Sequence, residues 1–142
     1  MFKIILTVNS VIDNLGDNGL PDGEPEINIF TTEGTLRFFD GDYIMTFKEE
    51  CEGQSITSHI TVNESFVRLI KNGAIESDML FEEGKTFSTL YRVGPYSFNM
   101  DITTKKIRST LSENGGELQL IYSMNIGGQE KNARMKISAK RK

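Results

Sequence analysis

"KTFSTLYRVGPYSFNMDI", residues 85–102, is the stretch on which the fold turns. Phe87, Thr89, Tyr91 and Val93 alternate along its first half, and Phe98, Met100 and Ile102 resume the alternation along its second. A period of two is that of a strand, whose successive side chains point to opposite faces. Between the halves stands Gly94-Pro95. Proline fixes φ and has no N–H to donate, so it belongs in a turn or at a strand end. The stretch is therefore two strands and a corner. Tyr91 and Tyr96 then have two readings, as caps on a core or as the lining of a mouth.

The same period recurs outward in both directions. Phe2, Ile4, Leu6 and Val8 alternate, as do Tyr43, Met45 and Phe47, Ile56, Ile60 and Val62, Leu118 to Ile126, and Ala133, Met135 and Ile137. Turn signals separate them: "FDGD" at 39–42, "KNG" at 71–73, "EEGK" at 82–85, "ENGGE" at 113–117 and "IGGQ" at 126–129. Glycine and Asx residues there supply the positive φ that tight hairpins need. Short loops pair strands that are neighbours in sequence, which predicts an antiparallel meander of about eight to ten strands. An open meander of that length would leave long unpaired edges, so an all-β closed barrel is expected. The 142 residues fit a single domain spanning 1–142. Within it, "DNLGDNGLPDGEPE", residues 13–26, reads as a mobile loop, either a lid or a tolerated insertion, and residues 139–142 read as a solvated basic tail.

Composition narrows the function classes. With 37% apolar and 25% charged residues the chain is ordinary globular material. No apolar run approaches the roughly 20 residues of a membrane span. "MFKIILTVNSVID" turns polar at Asn9 and Ser10, where a signal peptide would continue. A cytoplasmic protein with no membrane partner is expected. Cys51 is the single cysteine, which excludes an internal disulfide and suits a reducing compartment. In "EECEG" it has acids on both sides, which raise a thiol's pKa and make a poor nucleophile. His59 is the single histidine, on a face shared with Thr57 and Thr61, so neither a metal site nor a triad is expected, and no cofactor. Adjacent Glu49/Glu50 and Glu82/Glu83 point to opposite faces of a strand and do not converge. The glycines match neither phosphate-binding fingerprint. An enzyme is disfavoured on these grounds.

Net charge −4 hides an asymmetry: residues 1–52 carry eleven acids and three bases, residues 53–142 nine acids and thirteen bases. The basic end, "KNARMKISAKRK", lacks interleaved aromatics, which disfavours a nucleic-acid partner. Two classes remain: a barrel that binds a small ligand, and a filled barrel that serves as a structural or protein-partner module. For the first, Arg68 is the candidate anchor if Phe66 and Ile70 face inward, since an inward arginine offers bidentate hydrogen bonds to an anion. The opposite parity, with Val67 and Leu69 inside, fits the pattern equally. Glu49 shares the parity of Tyr43, Met45 and Phe47, and is the alternative partner for Arg68. Tyr43, Tyr91 and Tyr96 would form aromatic walls, and Phe47, Phe98, Met100 and Tyr122 an apolar floor, for an amphipathic, anionic guest. Met45, Met100, Met124 and Met135 add deformable volume.

Three runs carry a resemblance: "GAIESDMLFEEGKTFSTLYRVGPYSFNMDITTKKI" (73–107), "ENGGELQLIYSMNIGG" (113–128) and "EGTLRFFDGDYIMTFKEE" (33–50). The chain resembles the YwiB-like bacterial domain of unknown function. That resemblance implies a calycin-like, lipocalin-related β-barrel and brings no established reaction. The family's Thr-Pro-Tyr-Gly turn is Gly94, Pro95, Tyr96, Ser97 here, and Lys71 stands where an arginine is usual.

Overall fold

Each alternating run forms a strand, and each turn signal joins antiparallel neighbours. A computed structural model describes residues 1–142 apart from the side chain of Cys51, so the reading of that thiol lies outside the described residues. The strands are β1 (Phe2–Asn14), β2 (Glu26–Phe39), β3 (Asp42–Cys51), β4 (Gln54–Val62), β5 (Val67–Gly73), β6 (Ile75–Phe81), β7 (Thr86–Val93), β8 (Tyr96–Ser109), β9 (Gly115–Ile126) and β10 (Gln129–Arg141). Every strand pairs antiparallel with its predecessor, and β10 returns to β1, closing the expected all-β meander barrel at ten strands with no helix among the described residues.

The Gly94-Pro95 corner has a simple geometry. Val93 pairs with Tyr96 across a two-residue turn, and Gly94 has φ 59°. A type II′ hairpin needs positive φ at its first central residue only. The second accepts the φ that proline fixes, and its N–H has no partner to lose.

Eight strands enclose a volume that side chains just fill; ten enclose more. At the end where the chain begins and finishes, the interior is filled. Ile4, Leu6, Leu36, Met45, Ile60, Phe81, Ile102, Leu118 and Ile137 are buried there, and the Phe81 and Tyr122 rings meet edge to face at 4.9 Å. A bulge in β8 between Thr104 and Lys106 preserves this packing. Strict alternation would turn Lys106 inward, whereas the extra residue leaves Lys105 and Lys106 exposed and brings Ile107 opposite Leu120. The Ile107 N–H donates to Glu83 Oε1 at 2.7 Å, which gives that glutamate a structural task.

Two expected boundaries move. The basic tail is a strand: Arg141 pairs with Ile4, Ala139 is buried, and the Lys142 N–H donates to the Lys3 carbonyl at 2.8 Å. Lys142 Nζ also donates to Glu33, which holds that carboxyl below the usual carboxylate range. Pairing with β1 outweighs solvation of the charges, because the lysine and arginine heads stay exposed while their backbone completes the ladder. The loop also shortens, since Asp13 and Asn14 belong to β1 and Glu26 to β2. Its root is tied to the β9–β10 turn, with Leu15 N–H donating to the Glu130 carbonyl at 3.0 Å and Gln129 Nε2 to the Leu15 carbonyl at 3.0 Å.

The wall is split at two places, at opposite ends. β6 and β7 pair only over Ile75–Ser77 and Tyr91–Val93, so they part toward the filled end. There the Glu82–Lys85 connection bonds β8 instead, with Gly84 N–H donating to the Thr104 carbonyl at 2.8 Å. β2 and β3 pair only from Gly34 to Phe39, so they part toward the other end, bridged by Thr32 Oγ1 donating to the Lys48 carbonyl at 3.1 Å. Gly34 sits at the fork. A Cβ at this position would lie 2.4 Å from the Thr46 carbonyl oxygen and 2.8 Å from Leu6 Cδ1. Because the nearer atom is backbone, Gly34→Ala is expected to cost about 1–3 kcal/mol, the usual range for overpacking. Urea denaturation measures it, and an unchanged midpoint would contradict the close approach.

Candidate functional site

The meander places the β1–β2, β3–β4, β5–β6, β7–β8 and β9–β10 connections at one end, opposite the filled half. The interior is hollow there. A cavity of about 610 Å³ opens between these turns, walled by Leu69, Met79, Tyr91, Phe98, Met100, Tyr122, Met124 and Met135. Strand parity makes this wall: β6 turns Ser77, Met79 and Phe81 inward, β8 Met100 and Ile102, β9 Leu120, Tyr122 and Met124. Serine and methionine are concentrated at the mouth, beside Leu69, Tyr91, Phe98 and Tyr122, and branched aliphatic side chains dominate below.

Polar groups are few and placed. Lys71 Nζ lies 3.1 Å from Glu49 Oε1, with the two side chains 24% and 12% exposed. Lys131 Nζ lies 4.0 Å from Glu26 Oε2 on the rim. Ser10, Asn28 and Gln129 complete the polar lining. Ser77 is buried in the wall, and its hydroxyl has no hydrogen-bond partner among the described residues. Burial pushes the Tyr122 hydroxyl well above the usual tyrosine range.

Of the residues expected to bind, Tyr91, Phe98, Met100 and Tyr122 do line the cavity. Phe47 and Glu49 line a side recess of about 40 Å³ that shares Ser10, Asn28, Leu69, Lys71 and Met135 with the main cavity. Three do not belong to the wall. Arg68 faces outward: Val67 and Leu69 are buried on either side of it. It donates from Nε to Asp78 Oδ1 at 2.9 Å and from Nη2 to Asp78 Oδ2, bonds that raise its pKa further. Two buried apolar neighbours outweigh one arginine in fixing parity, and the outer surface supplies its carboxylate. Tyr43 has the inward parity but sits at the opposite end, its ring 4.8 Å from that of Phe38. Tyr96 stands at the hairpin tip, 65% exposed. The hollow beside Tyr43 is a surface depression whose lining has only Val62 buried.

Lys71, Ser77 and Met79 escaped the sequence reading. The signal was present in the choice of parity for β5, since the register that buries Val67 and Leu69 carries Lys71 inward opposite Ser58 and Ser77. His59 faces outward and shares a 3.1 Å hydrogen bond with Thr46 Oγ1. No group of three or more His, Cys, Asp or Glu among the described residues could hold a metal ion. No helix long and apolar enough to cross a membrane occurs among the described residues.

A closed ten-strand meander with one filled and one hollow end defines the structural class. Residues 18–138 match the family described as "Domain of unknown function (DUF1934)", and the chain belongs to that family. It is 25% identical over 127 residues, 89% of this chain and 84% of the relative, to the uncharacterized beta-barrel protein YwiB of Bacillus subtilis (strain 168). The crystal structure of ywiB protein from Bacillus subtilis aligns over 96% of this chain and 91% of that one, with a TM-score of 0.80 at 24% identity. The YwiB-like family expected from residues 33–50, 73–107 and 113–128 is the one found.

The two cations test the assignment of inside and outside. Arg68→Met removes an exposed pair and is expected to change stability by less than about 1 kcal/mol. Lys71→Met leaves Glu49 without its partner in a half-buried wall and is expected to cost about 1–3 kcal/mol. Chemical denaturation of both variants decides it, and the reverse order would contradict the parity of β5.

Proposed function

We propose that this protein binds one small amphipathic molecule in the mouth half of its barrel. The observation that carries the reading is the cavity itself. Its volume of about 610 Å³ falls inside the range of roughly 300–1,000 Å³ usual for small-molecule sites. Its wall pairs methionine and aromatic surface with a few polar groups, and the buried Ser77 hydroxyl offers a hydrogen bond that no described residue takes up. The tail of the guest would lie against Met79, Met100 and Met124, which adapt because the side chain is unbranched and polarisable. Its polar end would meet the Lys71–Glu49 pair. With Arg68 outside, the reason for an anionic guest falls with the arginine that suggested it.

The proposal is of a carrier or sensor rather than an enzyme, acting in the cytoplasm, where a single cysteine is at ease. The filled-barrel alternative is less favoured because the interior is packed at one end only. Native mass spectrometry of protein purified from its source is expected to show a retained small molecule at a ratio of one to one. A neutral fluorescent apolar probe is expected to bind the emptied protein, and Met124→Trp, which narrows the cavity of about 610 Å³, is expected to weaken that binding without lowering the melting temperature. Absence of both adduct and probe binding in the parent protein, or binding indifferent to Met124→Trp, would reject the reading.

A further inference from the structure

We infer that the barrel mouth selects a cationic amphiphile, an amine or quaternary ammonium carried on an apolar tail, over its anionic counterpart. The inference rests on the ligand-binding reading above and adds the sign of the guest's charge.

The charge asymmetry of the sequence becomes a spatial one. Residues 13–26, 48–53, 71–76, 92–99 and 126–131, which form the mouth, carry ten acids and four bases; the rest of the chain carries ten acids and twelve bases. Three of the four bases are already matched: Lys71 with Glu49 at 3.1 Å, Lys131 with Glu26 at 4.0 Å and Arg92 with Glu76 at 3.8 Å. The fourth, Lys48, points outward from β3. Glu50 shares that outward parity, whereas Asp17, Asp22 and Glu24 of the β1–β2 loop and Glu52 of the β3–β4 turn lie at the mouth end with no ion pair among the described residues. A charged rim over a low-dielectric cavity focuses its field on whatever enters.

The wall discriminates in the same direction. An anionic head could gain a cation only by drawing Lys71 from Glu49 or Lys131 from Glu26. Either exchange strands a carboxylate, at Glu49 in a side chain only 12% exposed, and a half-buried unpaired charge is costly. A cationic head displaces nothing. It can approach Glu26 on the rim, and Glu49 in the side recess, among the Tyr91 and Phe98 rings that line the cavity and can attract a cation through their quadrupoles.

The test compares decylamine, decanol and decanoate at neutral pH by titration calorimetry, below their aggregation concentrations. The tail is held constant and only the head charge changes. At low salt the amine is expected to bind about tenfold or more tighter than decanoate, with the alcohol between them. At about 1 M salt, where screening acts over about 3 Å, the gap is expected to narrow. The triple variant Asp22→Asn, Glu24→Gln, Glu52→Gln is expected to reduce the amine-to-decanoate preference several-fold while leaving decanol affinity unchanged. Decanol binding with no preference for the amine, or with preference for decanoate, would overturn the charge inference and leave the cavity reading standing. Failure of all three probes to bind would overturn both.

Discussion

The structure depends on the double pairing of its first strand. β1 is hydrogen-bonded along one edge to β2 and along the other to β10, so the ring has no free edge at the point where its ends meet. A meander that stopped one strand short would expose the backbone of two long edges to other chains. Closure satisfies those groups, and it also fixes the strand number and hence the radius. At ten strands the radius exceeds what inward side chains fill without help. The hollow mouth is therefore a consequence of closure together with the choice of side chains.

That choice differs between the two ends. Below, Phe81, Tyr122, Ile4, Leu6 and Leu36 occupy the axis, and the parting of β6 from β7 is covered by the Glu82–Lys85 connection. Above, the parting of β2 from β3 beyond Gly34 is bridged by Thr32, and serine, asparagine, lysine and methionine join Leu69, Tyr91 and Phe98 in the lining. Rigidity in one half and adaptability in the other suit a protein that holds its shape while accommodating a guest. Under the proposed binding role the half-buried Lys71–Glu49 pair would limit the choice of guest, because breaking it is costly and leaving it intact keeps the wall neutral beneath an acidic rim.

Much of the fold was legible because its signals are local. The period of two, the glycine-bearing turns and the Gly94-Pro95 corner each act within a few residues, and closure follows from the edge problem alone. Half of the candidate site was legible for the same reason, since Tyr91, Phe98, Met100 and Tyr122 follow from alternation. The rest depended on distance along the axis and on parity where two patterns competed. Tyr43 has the right face at the wrong end, because strand stagger decides height and the sequence carries no local mark of it. Arg68 and Lys71 have opposite parity on one short strand, and only the burial of Val67 and Leu69 assigns them. The bulge at Lys105 and the strand character of residues 139–141 were hidden by charge, which reads as solvent exposure even where the backbone is fully paired.

The central claim is that the barrel is hollow and adaptable at one end and filled at the other. The six methionines allow a direct measurement, because Met79, Met100, Met124 and Met135 line the mouth cavity while Met45 is buried outside its lining. Methyl-labelled methionine NMR during titration with a neutral apolar probe reads both regions at once. The account predicts that the four mouth methyls shift together and saturate at a single stoichiometry while Met45 stays still. Shifts spread evenly over all five, or confined to surface resonances, would contradict it.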